Sequence, residues 1–165
     1  MRAFYLLGLI LLTVGPAANA HGAAGFKMDS TVLYQPDATL RARLGSGEDL
    51  AAYIKRIEAA CTAFFASETT PEQLDIVVGL KPQKKVRVWF VSSRRISQDR
   101  SLITLRKKLE AIAPSPVHAG PVAFALRCTI AGTPPSNEIP MPKEWRPKGE
   151  PVSVPDGVFE RIWRD

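Results

Sequence analysis

The sequence predicts an α+β domain in which two helices pack on one face of a small antiparallel sheet. Two segments repeat apolar residues at steps of three and four, the spacing of one helix face. Three others alternate apolar and polar residues, as strands with one buried side do. With a short β-prone run before the first helix, the predicted order is β-α-β-β-α-β. A proline-rich C-terminal extension follows the domain.

Residues 1–20 have the pattern of a secretory signal peptide. Arg2 precedes an apolar run over 4–14, and an A-x-A-like triplet ends at Ala20, which predicts cleavage before His21. The run is shorter than the roughly 20 residues that a membrane-spanning helix needs. We therefore expect a periplasmic or secreted protein with no transmembrane span after signal cleavage. An uncleaved anchor is the alternative.

The length beyond the signal suits one domain with a substantial core. We expect the α+β domain over 21–132 and a Pro-rich tail with a short terminal helix over 133–165. The formal net charge of the chain is +6. For an exported protein, this charge favours an envelope protein or an anionic envelope surface as partner and argues against nucleic acid.

The first strand and the first helix each have local signals. The run STVLY over 30–34 is β-prone and is ended by Pro36. Ser46 is a residue type that caps helices, and acidic residues at 48 and 49 complement the helix dipole. The apolar stripe that follows consists of Leu50, Tyr53, Ile54, Ile57, Cys61 and Phe64.

The next two strands form a predicted hairpin. QLDIVVGLKP and VRVWFVSS both alternate, and the short connection KPQKK favours antiparallel pairing. The inward residues of this hairpin are Leu74, Ile76, Val78, Leu80, Val86, Val88 and Phe90.

A second helix and a last strand complete the domain. SQDRSLITLRKKLEAI has Ser97 as its candidate cap and Asp99 in its first turn. Prolines at 114 and 116 and Gly120 place His118 in a loop. The apolar helix residues are Leu102, Leu105, Leu109 and Ile112, and the strand VAFALRCTIAG turns Val122, Phe124, Leu126, Cys128 and Ile130 to one side.

The two cysteines, Cys61 and Cys128, both lie on inward faces in this prediction. In an oxidising compartment they would form a disulfide, worth on the order of 4 kcal/mol in the chain-entropy description. Two buried free thiols are the alternative. There is no C-x-x-C motif, which argues against a catalytic redox pair.

Residues 73–132 resemble the carboxy-terminal domain of TonB and its TolA-like relatives. The matching pieces are the hairpin strand ending in Ser92 and Ser93, the helix containing SLITLRKKL, the loop APSPVHAGP and the final strand VAFALRCTI. The resemblance implies this fold and binding by protein contact, usually through sheet edges. It implies no catalytic residues. The chain departs from the family in its cleavable signal and in prolines that follow the domain.

The sheet face opposite the helices is the first candidate site. On the predicted alternation, Lys85, Arg87, Trp89 and Arg127 project from it, and tryptophan among arginines is enriched in interfaces. The alternative is that the tail folds back over this face through Met141, Trp145 and Trp163.

Basic side chains form a second candidate site, for an acidic partner or anionic lipid headgroups. A solvated helix face is the alternative. The cluster comprises Lys81, Lys84, Lys85, Arg94, Arg95, Arg100, Arg106, Lys107 and Lys108.

A copper site is an alternative to the binding module, whereas the motifs of common enzymes are absent from the sequence. His21 at the mature N-terminus and His118 could hold copper, because imidazole and amine nitrogens suit Cu(II), and a copper-binding or delivery protein is the alternative function. No G-x-S-x-G, S-x-x-K or H-E-x-x-H motif occurs. We therefore expect a non-catalytic binding or adaptor module without a cofactor.

Overall fold

The computed structural model describes residues 25–92, 100–133 and 138–145. The α+β class is confirmed, and the predicted strands and two helices are all present in their predicted order. One further helix, α1, precedes the predicted first helix. The elements are β1 (Phe26–Leu33), α1 (Asp37–Arg43), α2 (Gly47–Phe64), β2 (Glu72–Lys81), β3 (Lys85–Ser92), α3 (Arg100–Glu110), β4 (Val122–Ile130) and a short 3-10 helix (Lys143–Trp145).

The four strands form one sheet in the order β1-β4-β2-β3, and every neighbouring pair is antiparallel. The predicted hairpin is β2–β3, and Gln83 and Lys84 in its turn have φ angles of 67° and 61°. β4 inserts between β1 and β2, so each helical crossover joins two parallel strands across an antiparallel one. Among the described strands, β1 and β3 are therefore the sheet edges.

The main core lies between the helices and one face of the sheet. Tyr53, Ile57 and Cys61 of α2 are fully buried there, as are Leu105 and Leu109 of α3. The cap of α2 is the predicted one, because the Ser46 hydroxyl accepts a hydrogen bond from the backbone N–H of Asp49 at 3.0 Å. The predicted cap of α3 at Ser97 lies outside the described residues.

Helix α1 was missed because its sequence carries almost no amphipathic signal. It has seven residues, of which Leu40 alone is buried, and no side chain caps its start. An exposed ion pair between Arg41 and Asp37, at 2.7 Å, supports it locally. Pro36, which was interpreted only as the end of a strand, also suits the start of a helix because its φ is already fixed near the helical value.

No helix in the described ranges is both long enough and apolar enough to cross a membrane. The predicted signal peptide, residues 1–20, lies outside these ranges, as does the predicted terminal helix of the tail.

Cys61 and Cys128 are both free thiols in the structure, and neither is exposed. Burial raises the pKa of the Cys61 thiol to about 12. Burial, and then the nearby Cys61, raises the pKa of Cys128 as well. Both cysteines thus face the same core, as predicted, and the disulfide between them stays a prediction.

Denaturation without reductant distinguishes the disulfide from two thiols. Because burial protects both sulfurs in the folded protein, alkylation of the native state is expected to modify neither. We expect protein purified from the periplasm or the medium to remain unmodified when it is unfolded in iodoacetamide. It should take up two adducts only after reduction. Two adducts without reductant, measured by intact mass, would show free thiols.

Candidate binding surface: the outer sheet face and the β3 edge

The sheet face opposite the helices, called here the outer face, is apolar at its centre. Val77 of β2 and Ala123 and Ala125 of β4 are fully buried there. The cover is supplied by the 138–145 segment, whose Met141 and Trp145 pack on these residues. The small alanine side chains leave room for an indole ring directly on the sheet.

Trp145 is the centre of this packing and is 1% exposed. Its ring meets Trp89 of β3 edge-to-face at a centroid distance of 5.1 Å. On the other side it meets Tyr34 in the same manner at 5.4 Å. Trp89, a residue of the first candidate site, is therefore half-buried against the chain's own tail.

Two hydrogen bonds fix the beginning of the 138–145 segment. The Tyr34 hydroxyl donates to the Pro140 carbonyl, and the Arg127 guanidinium donates to the Glu138 carbonyl. The tail thus covers the centre of the outer face through Met141 and Trp145, one of the two alternatives that the sequence left open. Trp163, the third residue of that alternative, lies outside the described residues.

A buried carboxyl group lies beside this cover. Asp75 of β2 is directly opposite Arg127 of β4 and is 4% exposed. Its Oδ2 accepts a hydrogen bond from Gln73 Nε2 at 3.1 Å, whereas Oδ1 accepts none from any described residue. Burial raises the pKa of Asp75 to about 6, against the opposing effects of Gln73 and Arg127. Burial, and then the charge of Asp75, also raises the pKa of Tyr34.

The stability of the fold should therefore depend on the ionisation of Asp75. The folded state binds this proton more tightly than the unfolded chain, in which the pKa is near 3.8. The extra stability is complete below that value and is lost as the pH rises through about 6. We expect the free energy of unfolding to fall by about 1–3 kcal/mol over this range.

Urea unfolding from about pH 4 to pH 7 measures this effect. Asp75→Asn should flatten the pH dependence, whereas Asp37→Asn, which changes an exposed carboxylate, should leave it as in the wild type. An unchanged profile in Asp75→Asn would show that this carboxyl group is not responsible.

Removing the Trp145 ring should destabilise the fold, because it would leave a large void between Tyr34 and Trp89. We expect Trp145→Ala to lower the free energy of unfolding by about 3–5 kcal/mol. Lys143→Ala, an exposed change in the same 3-10 helix, is the matched control. Equal denaturant midpoints for the two variants would mean that the packing of the segment contributes little.

The edge of β3, which pairs with no further described strand, is the second part of the candidate surface. Val88 donates its backbone N–H to Glu110 Oε1 of α3 at 3.0 Å, and not to β2. Backbone orientation repeats every second residue in an antiparallel strand, so the N–H and C=O groups of Val86 and Phe90 also point away from β2. The Arg106 guanidinium lies over the Phe90 ring, 5.8 Å from its centroid.

The opposite edge, β1, is irregular. Its register with β4 shifts between Met28 and Ser30, which marks a bulge at Asp29. Asp29 also forms an ion pair with Lys27 at 2.7 Å. Bulges and charged side chains both discourage a further strand from pairing at an edge. β3, by contrast, pairs with β2 over eight consecutive residues without a register shift.

The predicted basic residues are only partly brought together. Arg87 and Arg127 are half-buried on different strands of the outer face, opposite Gly79 and Asp75 of β2, respectively. Arg94 and Arg95 lie outside the described residues. Among the α3 side chains that the structure describes, the exposed basic ones are Arg106, Lys107 and Lys108.

Tyr34, Asp75 and Glu110 were missed as residues of this surface. Asp75 has a sequence signal, because it is the one acidic residue in the apolar run of β2. Glu110 has none, since its role depends on how α3 lies beside the edge of β3.

Of the two predicted copper ligands, only His118 lies in the part of the chain that the structure describes. His118 is exposed, and its backbone N–H donates to the Arg43 carbonyl at 2.8 Å. His21 lies outside the described residues. Within those that are described, no group of three or more His, Cys, Asp or Glu side chains is placed to hold a metal ion. The copper alternative therefore stays a prediction.

Comparison with protein-family models, with curated proteins and with solved structures finds no match to this chain. The resemblance to TonB and TolA-like domains accordingly stays a prediction.

Proposed function

We propose that this protein is an exported, non-catalytic binding or adaptor module of the cell envelope. It takes an extended segment of a partner protein along the edge of β3. The observation that carries the proposal is the difference between the two edges, since β3 is regular over its length and β1 is bulged. Strand addition at an edge obtains its affinity from backbone hydrogen bonds, which need a regular row of outward N–H and C=O groups.

Occupation of the outer face also favours the edge as the contact surface. Trp89, the aromatic residue expected to anchor a partner, already packs against Trp145. The apolar centre beneath it is covered by the same segment. A partner binding there would have to displace a fully packed tryptophan, whereas a partner strand at β3 extends the sheet without removing this packing.

The location of the perturbed ionisable groups supports binding over catalysis. Enzymes place such groups in clefts where a substrate reaches them. Here Asp75 is buried in the sheet, and Cys61 and Cys128 lie inside the main core. Burial is also the largest cause of the pKa shift in all three groups.

Proline substitution at each edge tests the assignment. Val86→Pro removes an N–H that points away from β2, so it blocks strand addition without removing a hydrogen bond of the sheet. We expect it to lower partner capture from a detergent-solubilised envelope extract by about tenfold or more, measured by quantitative mass spectrometry.

Thr31→Pro is the matched control at the β1 edge. Tyr34 donates its N–H to the Ala123 carbonyl at 3.3 Å, and the alternation of the strand then turns the backbone groups of Thr31 outward. Capture by Thr31→Pro should equal that of the wild type, with circular dichroism showing that both variants fold. Equal loss in both variants, or no loss in Val86→Pro, would contradict the β3 assignment.

A further inference from the structure

A row of α3 side chains lies beside the edge of β3. Ile103, Arg106 and Glu110 are spaced at i, i+3 and i+7, so they share one helix face. Two of them contact the strand directly, Arg106 through the Phe90 ring and Glu110 through the Val88 N–H. Ile103, farther along the row, is 48% exposed. The β3 edge and this row together form a track for an extended chain.

The charge along this track is strongly one-sided. β3 contains Lys85 and Arg87, and α3 exposes Arg106 within the row and Lys107 beside the row on the helix surface. Glu110 is the only acidic residue in the sequences of the two elements. Its carboxylate is also the group that accepts the outward N–H of Val88, near the middle of the strand.

We propose, resting on the function proposed above, that the partner segment is an acidic β-strand. In the free protein, Glu110 accepts the hydrogen bond from Val88 that the partner strand would accept. A backbone carbonyl of the partner would bond to the same Val88 N–H that now donates to the Glu110 carboxylate. The partner strand must displace it to pair along the whole edge. Once displaced, Glu110 lies within reach of Arg106 and Lys107, at the i−4 and i−3 positions of its own helix.

This arrangement has consequences for both the free and the bound protein. In the free protein Glu110 satisfies an edge N–H and opposes pairing between copies, as charged side chains at sheet edges do. In the bound protein Arg106 and Lys107 face acidic residues of the partner. A neutral or basic strand would gain the same backbone hydrogen bonds without this attraction, so Glu110 together with Arg106 and Lys107 selects for acidic segments.

Affinity for a defined peptide tests the proposal. The probe is a synthetic peptide of alternating glutamate and valine, equal in length to β3 and labelled for fluorescence anisotropy. Glu110→Ala should bind it about fivefold more tightly than the wild type, because no side chain competes for the Val88 N–H. Glu58→Ala removes the same charge from another half-buried glutamate, on α2, and should leave the affinity unchanged.

Hydrogen exchange at the Val88 amide provides a readout that needs no peptide. Exchange should be faster in Glu110→Ala than in the wild type, and close to wild type in Glu110→Gln, whose amide oxygen still accepts the hydrogen bond. If Glu110→Ala leaves the exchange rate of the Val88 amide unchanged, the hydrogen bond between Val88 and Glu110 on which the proposal depends is overturned.

The peptide outcomes separate this inference from the proposed function. Equal affinities for wild type and Glu110→Ala, together with loss of binding in Val86→Pro, would overturn the role of Glu110 and leave the β3 edge as the binding surface. Equally tight binding of a lysine–valine peptide would overturn the acidic partner. Failure of the acidic peptide to bind either protein would also overturn the acidic partner.

Discussion

Burial of the two central strands on both faces is the constraint on which the rest of the structure depends. β2 is buried continuously from Leu74 to Leu80, and β4 is buried almost throughout. A sheet with such strands cannot leave either face open to water, because each square ångström of exposed apolar surface costs about 25 cal/mol. Helices α2 and α3 cover one side, and the 138–145 segment covers the other.

Polar groups also lie on the outer face, next to its apolar centre. Asp75 is buried there, directly opposite Arg127, which is half-buried. Arg127 compensates by donating to a carbonyl of that segment, as does the Tyr34 hydroxyl. Burial raises the pKa of Asp75, and the one hydrogen bond that its Oδ2 accepts from a described residue, the Gln73 amide, offsets this only in part.

Covering both faces also concentrates the available backbone groups at the edges. The two edges differ in how they are protected. β1 has a bulge and the Lys27–Asp29 ion pair, whereas at β3 the Glu110 carboxylate of α3 accepts the Val88 N–H. A bulge is built into the backbone and cannot be removed by a partner. A glutamate side chain can rotate away, so the β3 edge is protected in a reversible manner.

The sequence by itself determined the α+β class, the four strands, the hairpin and the two amphipathic helices, since each leaves a local period or cap such as Ser46. It also indicated that Cys61 and Cys128 face inward. Only the tertiary structure decided that Trp145 covers Trp89, that Asp75 lies opposite Arg127, and that Glu110 reaches the Val88 N–H. These contacts join residues far apart along the chain, and their geometry depends on the strand order and on how α3 and the tail pack. Local periodicity in the sequence specifies neither the strand order nor this packing.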